Sequence, residues 1–183
     1  MITTVKRKML PLVLLTVAML APPLYAADGN INVFGRVVES ACVTDESSRN
    51  QVLNFGAVTY WEVEKEFHIV LKDCPVSTSQ AQVRFEGLKA DWGWGYVFAA
   101  NNTAEPGAAK GIGFLIRYYP EDSDAIYLAP NGLSDAITLQ TGAGVANKLA
   151  FTAAVDGNFE HEHGFVGEPG KAVADVQFSI VYP

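Results

Sequence analysis

Residues 175–182 read Asp-Val-Gln-Phe-Ser-Ile-Val-Tyr. In an extended chain Val176, Phe178, Ile180 and Tyr182 fall on one face, with Asp175, Gln177, Ser179 and Val181 on the other. Side chains alternate between faces in a strand, so a period of two predicts a half-buried β-strand here. The same pattern recurs upstream. Phe67, Ile69 and Leu71 oppose His68 and Lys72, and Ala81, Val83 and Phe85 oppose Gln82 and Arg84. Ile112, Phe114, Ile116 and Tyr118 alternate with Gly113, Leu115 and Arg117, while Leu149, Phe151, Ala153 and Val155 form a further set. Between these runs lie turn formers such as Asp91 to Gly95, Asn101 to Gly111, Pro130-Asn131-Gly132 and Asp156-Gly157-Asn158. Short strands separated by turns, with no long amphipathic helical pattern in the body of the chain, predict an all-β sandwich. The 183 residues, 49% hydrophobic and 11% aromatic, suffice for one such domain with a real core and exclude intrinsic disorder.

The first 26 residues have a different character. Lys6-Arg7-Lys8 precede an apolar run from Met9 to Ala21, and Pro22-Pro23 then Leu24-Tyr25-Ala26 follow. A positive segment, a short apolar segment and a small residue at its end predict a cleaved secretory signal peptide, with the mature chain starting near Ala27. The apolar run is short for a transmembrane helix. The whole sequence carries 13 basic and 20 acidic residues, net −7. Removing Lys6, Arg7 and Lys8 with the leader leaves ten basic against twenty acidic residues, net −10. A body that acidic is a poor partner for nucleic acid. In an oxidising compartment the two cysteines, Cys42 and Cys74, are expected to form a disulfide.

Residues 30–38, Asn-Ile-Asn-Val-Phe-Gly-Arg-Val-Val, also alternate, with Ile31, Val33, Gly35 and Val37 on one face. A strand beside a free terminus pairs either within its own domain or with another molecule, and periodicity alone favours an edge strand of its own sandwich.

Taken together, these pieces resemble a known family. Residues 27–38 followed by Cys42 are similar to the start of a mature type 1 pilin-like subunit of the chaperone–usher pathway. Leu53-Asn54-Phe55-Gly56 resembles the family's short strand after the first cysteine. Phe67-His68-Ile69-Val70-Leu71-Lys72-Asp73-Cys74-Pro75 resembles its second-cysteine strand. Val83-Arg84-Phe85-Glu86-Gly87, Gly111-Ile112-Gly113-Phe114-Leu115-Ile116, Gly170 and the penultimate Tyr182 complete the likeness in the family's order.

The resemblance implies an incomplete immunoglobulin-like β-sandwich lacking its last strand. It divides the chain into a signal peptide (1–26), an N-terminal donor-strand extension (27–41) and a pilin domain (42–183). A strand from a periplasmic pilus chaperone would fill the gap first, and the extension of a neighbouring pilin subunit would replace it at the outer-membrane usher. Ile31, Val33 and Val37 would be the inserted donor side chains, and Gly35 would meet a tight place in the groove. Gly170, Val176, Phe178, Ile180 and Tyr182 would form the groove and the chaperone-binding C-terminal strand, expected to run from Ala172 to Tyr182, with Gly170 permitting a turn or bulge before it. Tyr182 is expected to offer its ring to the core and its hydroxyl to a rim partner. Only 15 residues, 27–41, lie between the expected cleavage site and Cys42, which resembles a minor or tip subunit more than a rod subunit. The implied destination is a fimbria on the bacterial surface.

Catalytic chemistry is not indicated. Glu160-His161-Glu162-His163 could place two imidazoles on one strand face, but no third ligand is evident, so a solvated acidic loop is expected and no metal or other cofactor. No Gly-x-Ser-x-Gly elbow or free thiol is present, which leaves a small secreted hydrolase without a nucleophile, and no small-molecule substrate is expected. His68 is expected to be exposed on the outer face of its strand. Asn101-Asn102-Thr103 matches a glycosylation sequon by pattern alone. Trp92, Trp94 and Tyr96 cluster in one loop. The reading is a structural subunit, not an enzyme. The alternative is a complete immunoglobulin-like domain that binds carbohydrate or protein through that loop.

Overall fold

The computed structural model describes residues 41–58, 63–120, 124–160 and 164–183. The expected leader, the extension with Ile31, Val33, Gly35 and Val37, and the imidazoles of His161 and His163 lie outside the described residues. The elements in chain order are β1 (Val43–Thr44), β2 (Glu64–Lys72), β3 (Gln80–Glu86), β4 (Phe98–Ala99), β5 (Ile112–Tyr118) and β6 (Ile126–Leu128). They continue with β7 (Ile137–Thr138), β8 (Ala146–Gly157), β9 (Phe159–Glu160), β10 (Gly164–Phe165) and β11 (Gln177–Val181). Among the described residues, two short 3₁₀ turns, Glu46–Ser48 and Gly93–Gly95, are the helical content.

The larger sheet runs β1-β2-β8-β5-β4, with β6 also paired to β5, and the smaller runs β11-β3-β7. Every pairing is antiparallel. β2 and β8 pair along their length from Glu64↔Ala154 to Lys72↔Ala146, and β5 lies on the other side of β8 from Ile112↔Gly157 to Tyr118↔Phe151. β9 and β10 form a separate small hairpin.

The alternation seen in the sequence sets which side chains meet between the sheets. Ile69, Leu71, Leu149, Phe151 and Ile116 enter from the larger sheet, and Ala81, Val83 and Phe85 from the smaller. Phe151 is the hub: its ring lies 5.6 Å from Phe67, 5.1 Å from Phe85 and 5.8 Å from Tyr118. Burying an aromatic ring of this size, with three ring partners, makes it a large contributor to stability.

The disulfide between Cys42 and Cys74 is formed, with its Cα atoms 4.2 Å apart. It ties the start of β1 to the end of β2 and closes a loop of 32 residues. On the loop-entropy account such a loop is worth roughly 3–4 kcal/mol. Beside it, Asn147 is buried and satisfied: its Nδ2 donates to the Gln140 carbonyl at 2.9 Å, and its Oδ1 accepts from the Gln140 N–H at 2.7 Å.

Three expectations need correction. The outer face of β5 is not solvated, because Leu115 joins Ala90, Val97 and Ala154 in a second apolar cluster covered by Trp92. The loop after β3 folds back over that face, which a strand's own alternation cannot reveal. His68 is half-buried rather than exposed, because the chain after the first 3₁₀ turn passes alongside it and Gln51 Nε2 donates to its carbonyl at 2.9 Å. The final strand is shorter than expected. Only Gln177–Val181 forms a ladder, whereas residues 172–176 are held by loop contacts instead.

Candidate functional site: a groove between two walls

β11 has one neighbour. It pairs with β3 from Gln177↔Glu86 to Val181↔Gln82, and its other edge has no strand partner among the described residues. Beside that edge lies a groove of about 1520 Å³. One wall is the run from Pro169 to Phe178, and the other is the run from Thr44 to Val58. The floor is apolar, with Phe67, Phe85, Phe114, Ile116 and Val155.

The first wall is built from the loop opposite it. Asn102, itself buried, donates from Nδ2 to the Lys171 carbonyl at 2.9 Å and accepts from the Val173 N–H at 2.9 Å. The Asn101 N–H donates to the Val173 carbonyl at 2.8 Å, and Asn101 Nδ2 to Asp175 Oδ2 at 2.7 Å. Gly170 makes this approach possible. A Cβ at Gly170 would sit 2.5 Å from the Gly107 carbonyl oxygen and 2.6 Å from the Ala109 nitrogen. Gly170 therefore serves close backbone packing at a bend in the chain before β11. Val176 and Phe178 from this wall, then Ile180 and Tyr182, pack on the core while remaining half-exposed.

The second wall starts on paired backbone, with Thr44 opposite Leu71 and the Asp45 N–H donating to the Val70 carbonyl at 2.9 Å, and side chains hold it from there. The buried Ser48 hydroxyl accepts from the Val70 N–H at 2.7 Å. Gln51 Nε2 donates to the carbonyls of Ser48 at 3.0 Å and His68 at 2.9 Å. From there Leu53 and Phe55 turn inward while Val52 and Asn54 turn out, and the Phe55 ring lies 6.0 Å from Phe114. This alternation is extended, yet Leu53-Asn54-Phe55-Gly56 forms no ladder, contrary to expectation, because the space where a partner strand would lie is the groove. Among the described residues no backbone–backbone hydrogen bond joins residues 50–58 to another segment.

Ile180 and Tyr182, expected to form the groove, lie beyond its lining, which ends at Phe178 on this strand. Burial pushes the Tyr182 hydroxyl pKa up, and a hydrogen bond with the Cys42 backbone opposes that shift. The expected rim partner of Tyr182 is thus the first cysteine, so the disulfide and β11 meet at one corner. At the base of the second wall Asp45 pairs with Lys72. The hydrogen bond from Lys72, followed by those from Ser47, holds the Asp45 carboxyl well below the usual carboxylate range.

Two half-strands with unpaired backbone and inward apolar side chains, separated by an apolar floor, make a slot with the chemistry of one missing strand. Unpaired N–H and C=O groups beside exposed apolar surface are costly until something pairs and covers them. The slot offers an extended peptide main-chain hydrogen bonds on both sides and pockets for alternate side chains. No cluster of three or more potential metal ligands occurs among the described residues.

The fold defines the chain's class: an immunoglobulin-like β-sandwich left incomplete by one strand, of the kind found in chaperone–usher pilins. It is similar to a subunit in the solved structure of a chaperone–usher pilus, with a TM-score of 0.61 at 19% identity over 89% of this chain and all of that one. It is also similar to the P pilus rod subunit PapA, with a TM-score of 0.60 at 18% identity over 79% of this chain and all of that one. The sequence is 33% identical over 141 residues to a probable major fimbrial subunit, LpfA, of Escherichia coli O157:H7, covering 70% of this chain and 71% of the relative. It is 28% identical over 163 residues to the type-1 fimbrial protein A chain of Escherichia coli K12, covering 84% and 83%. No protein-family model matches. The chain belongs to the family of fimbrial subunits of the chaperone–usher type. Its relatives are named as a probable major fimbrial subunit and a fimbrial protein.

Proposed function

We propose that the groove is the acceptor for a donor strand, and that the chain assembles into a fimbria by exchanging one occupant of that groove for another. The observation that carries this is the free edge of β11 facing a second extended wall across an apolar floor. A periplasmic pilus chaperone would supply the first strand, and the extension of a neighbouring subunit would displace it at the outer-membrane usher. No nucleotide is needed, because the driving force is the difference in free energy between two occupied grooves.

The donor of this chain would be residues 27–41. Ile31, Val33 and Val37, at roughly 1.5–3 kcal/mol each, would contribute about 5–9 kcal/mol on burial in a neighbour's groove, an upper bound. Gly35 would pass where a side chain has no room. The leader would carry the chain to the periplasm and be removed near Ala27.

The place in the fibre follows from self-compatibility. The short extension favours a minor or tip adaptor, while both curated relatives carry the names of fibre-building subunits. Mature chain produced without a chaperone and run on a native gel tests both points. A ladder abolished by Gly35→Leu supports donor-strand exchange and a rod-like role. Aggregates without a ladder that become soluble on addition of a neighbour's donor peptide support the adaptor role. A clean monomer, unaffected by Gly35→Leu, overturns the proposal.

A further inference from the structure

The groove does not account for Trp94. This residue is 98% exposed, the most exposed large hydrophobic side chain among the described residues. Its backbone is left-handed, at φ 56° and ψ 14°, between Gly93 and Gly95 at φ 75° and 88°. A bulky L-residue is disfavoured in that conformation, and such strain persists only where the surroundings impose it. They do so here. Two residues earlier, Trp92 packs on the cluster of Ala90, Val97, Leu115 and Ala154. The loop thus packs one indole, half-buried, on the sheet and holds the other in solvent.

Beside it runs a strip of polar and aromatic groups on the outer face of the larger sheet. The Tyr96 ring lies 5.9 Å from Tyr127, and the Arg117 guanidinium lies 4.9 Å from the Tyr127 ring centroid. Arg117 pairs with Glu64, and the Tyr119 hydroxyl donates to Glu64 Oε2 at 3.3 Å. Tyr96, Tyr119 and Tyr127 are each between 41% and 47% exposed. Lys89 reaches Gly95, Asp156 lies near Gly93 and interacts with Arg117, and Glu66 shares a hollow with Glu64 and Tyr119, so the face carries charges of both signs with a slight acidic excess.

We propose that Trp94 and this tyrosine strip bind a neutral polysaccharide. The C–H faces of sugar rings stack on exposed aromatic rings, and their hydroxyls suit the mixed donors and acceptors of Arg117, Glu64 and Tyr119. The mixed charges of the face leave no basic patch to attract an anionic polymer, and a chain of net −7 repels one. A second copy of the chain fits less well. Trp94 projects and lines neither the groove nor the small hollow at Glu64, Glu66 and Tyr119, so two such strips meeting face to face would set indole against indole. The inference is independent of the groove and of what fills it.

Affinity electrophoresis of the full chain through gels containing hydroxyethyl cellulose, mannan or heparin tests it. Retardation is expected with a neutral polymer and not with heparin. Trp94→Ala should weaken it by at least about tenfold, the scale of one lost aromatic anchor. Trp94→Gly should weaken it equally while leaving the melting temperature unchanged or higher, because glycine takes this backbone conformation freely. The proposal is overturned by absence of retardation in both neutral gels, by equal retardation in heparin, or by retention that survives both variants. It is also overturned if sedimentation shows the wild-type chain self-associating and Trp94→Ala abolishing that association, since the indole would then cap a second copy.

Discussion

β3 and β11 lie side by side in the smaller sheet, carry the same alternation of apolar residues, and end in different environments. β3 has a neighbour on each side, and Ala81, Val83 and Phe85 are between 0% and 3% exposed. β11 has one neighbour, and Phe178, Ile180 and Tyr182 remain only half-buried, with Phe178 lining the groove. The sequence patterns are equivalent, so the difference comes from topology. A strand's inner face is sealed by the strand beyond it, and on the groove side of β11 that position is open.

This contrast makes predictions that differ by flank. On the closed flank Phe151→Ala should cost about 3–5 kcal/mol in urea unfolding, and by the same amount whether or not a donor peptide is bound. An effect that grows markedly with the peptide would mean the closed core extends into the groove. Reduction of the Cys42–Cys74 bond should cost about 3–4 kcal/mol. It should also weaken donor-peptide binding, because the bond anchors the base of the second wall; unchanged binding by calorimetry would show that the wall holds itself. Gly170→Ala should cost about 1–3 kcal/mol by forcing the first wall off the 107–109 backbone. Amide exchange should localise that loss to residues 170–176, and a loss spread evenly over the sheets would contradict the tether. On the open flank Phe178→Ala should cost only about 1–2 kcal/mol in the empty chain, since its ring is half-solvated, and clearly more with the peptide bound.

The smallest effect expected is that of pH on the second wall. The Asp45 carboxyl titrates below its unfolded value, so the pair with Lys72 stabilises the fold above the ordinary aspartate pKa of about 3.9 and loses that contribution as pH falls below it. Asp45→Asn should flatten the acid limb of a stability–pH curve slightly and leave the neutral region little changed. A changed slope above pH 5 would assign the effect to another group.

Much of this contrast was legible in the sequence. Period two in β3, β8 and β11 fixed the inward residues, because alternation is a local property that tertiary packing then uses. The two cysteines in an exported chain implied their bond. The groove became visible only through family likeness, since an absent strand leaves no residues to read. Three features had no local signal. Asn102, which reads as part of a sequon, clamps the first wall through contacts 69 and 71 residues away. Leu115 sits on the nominally outer face of β5 and is buried by a loop from elsewhere. Gly170 sits at a bend and also marks a close approach of two backbones, which only the distances reveal.

The central claim, that the open flank awaits one strand, is tested most directly by supplying it in place. The melting temperature of the mature chain would be compared with that of the same chain carrying a second copy of residues 27–41 after Pro183 on a flexible linker. The account predicts a soluble monomer melting tens of degrees higher, as expected when a tethered ligand fills its site at high effective concentration. A parent chain that is already monomeric, with a melting temperature the added strand leaves unchanged, would contradict it.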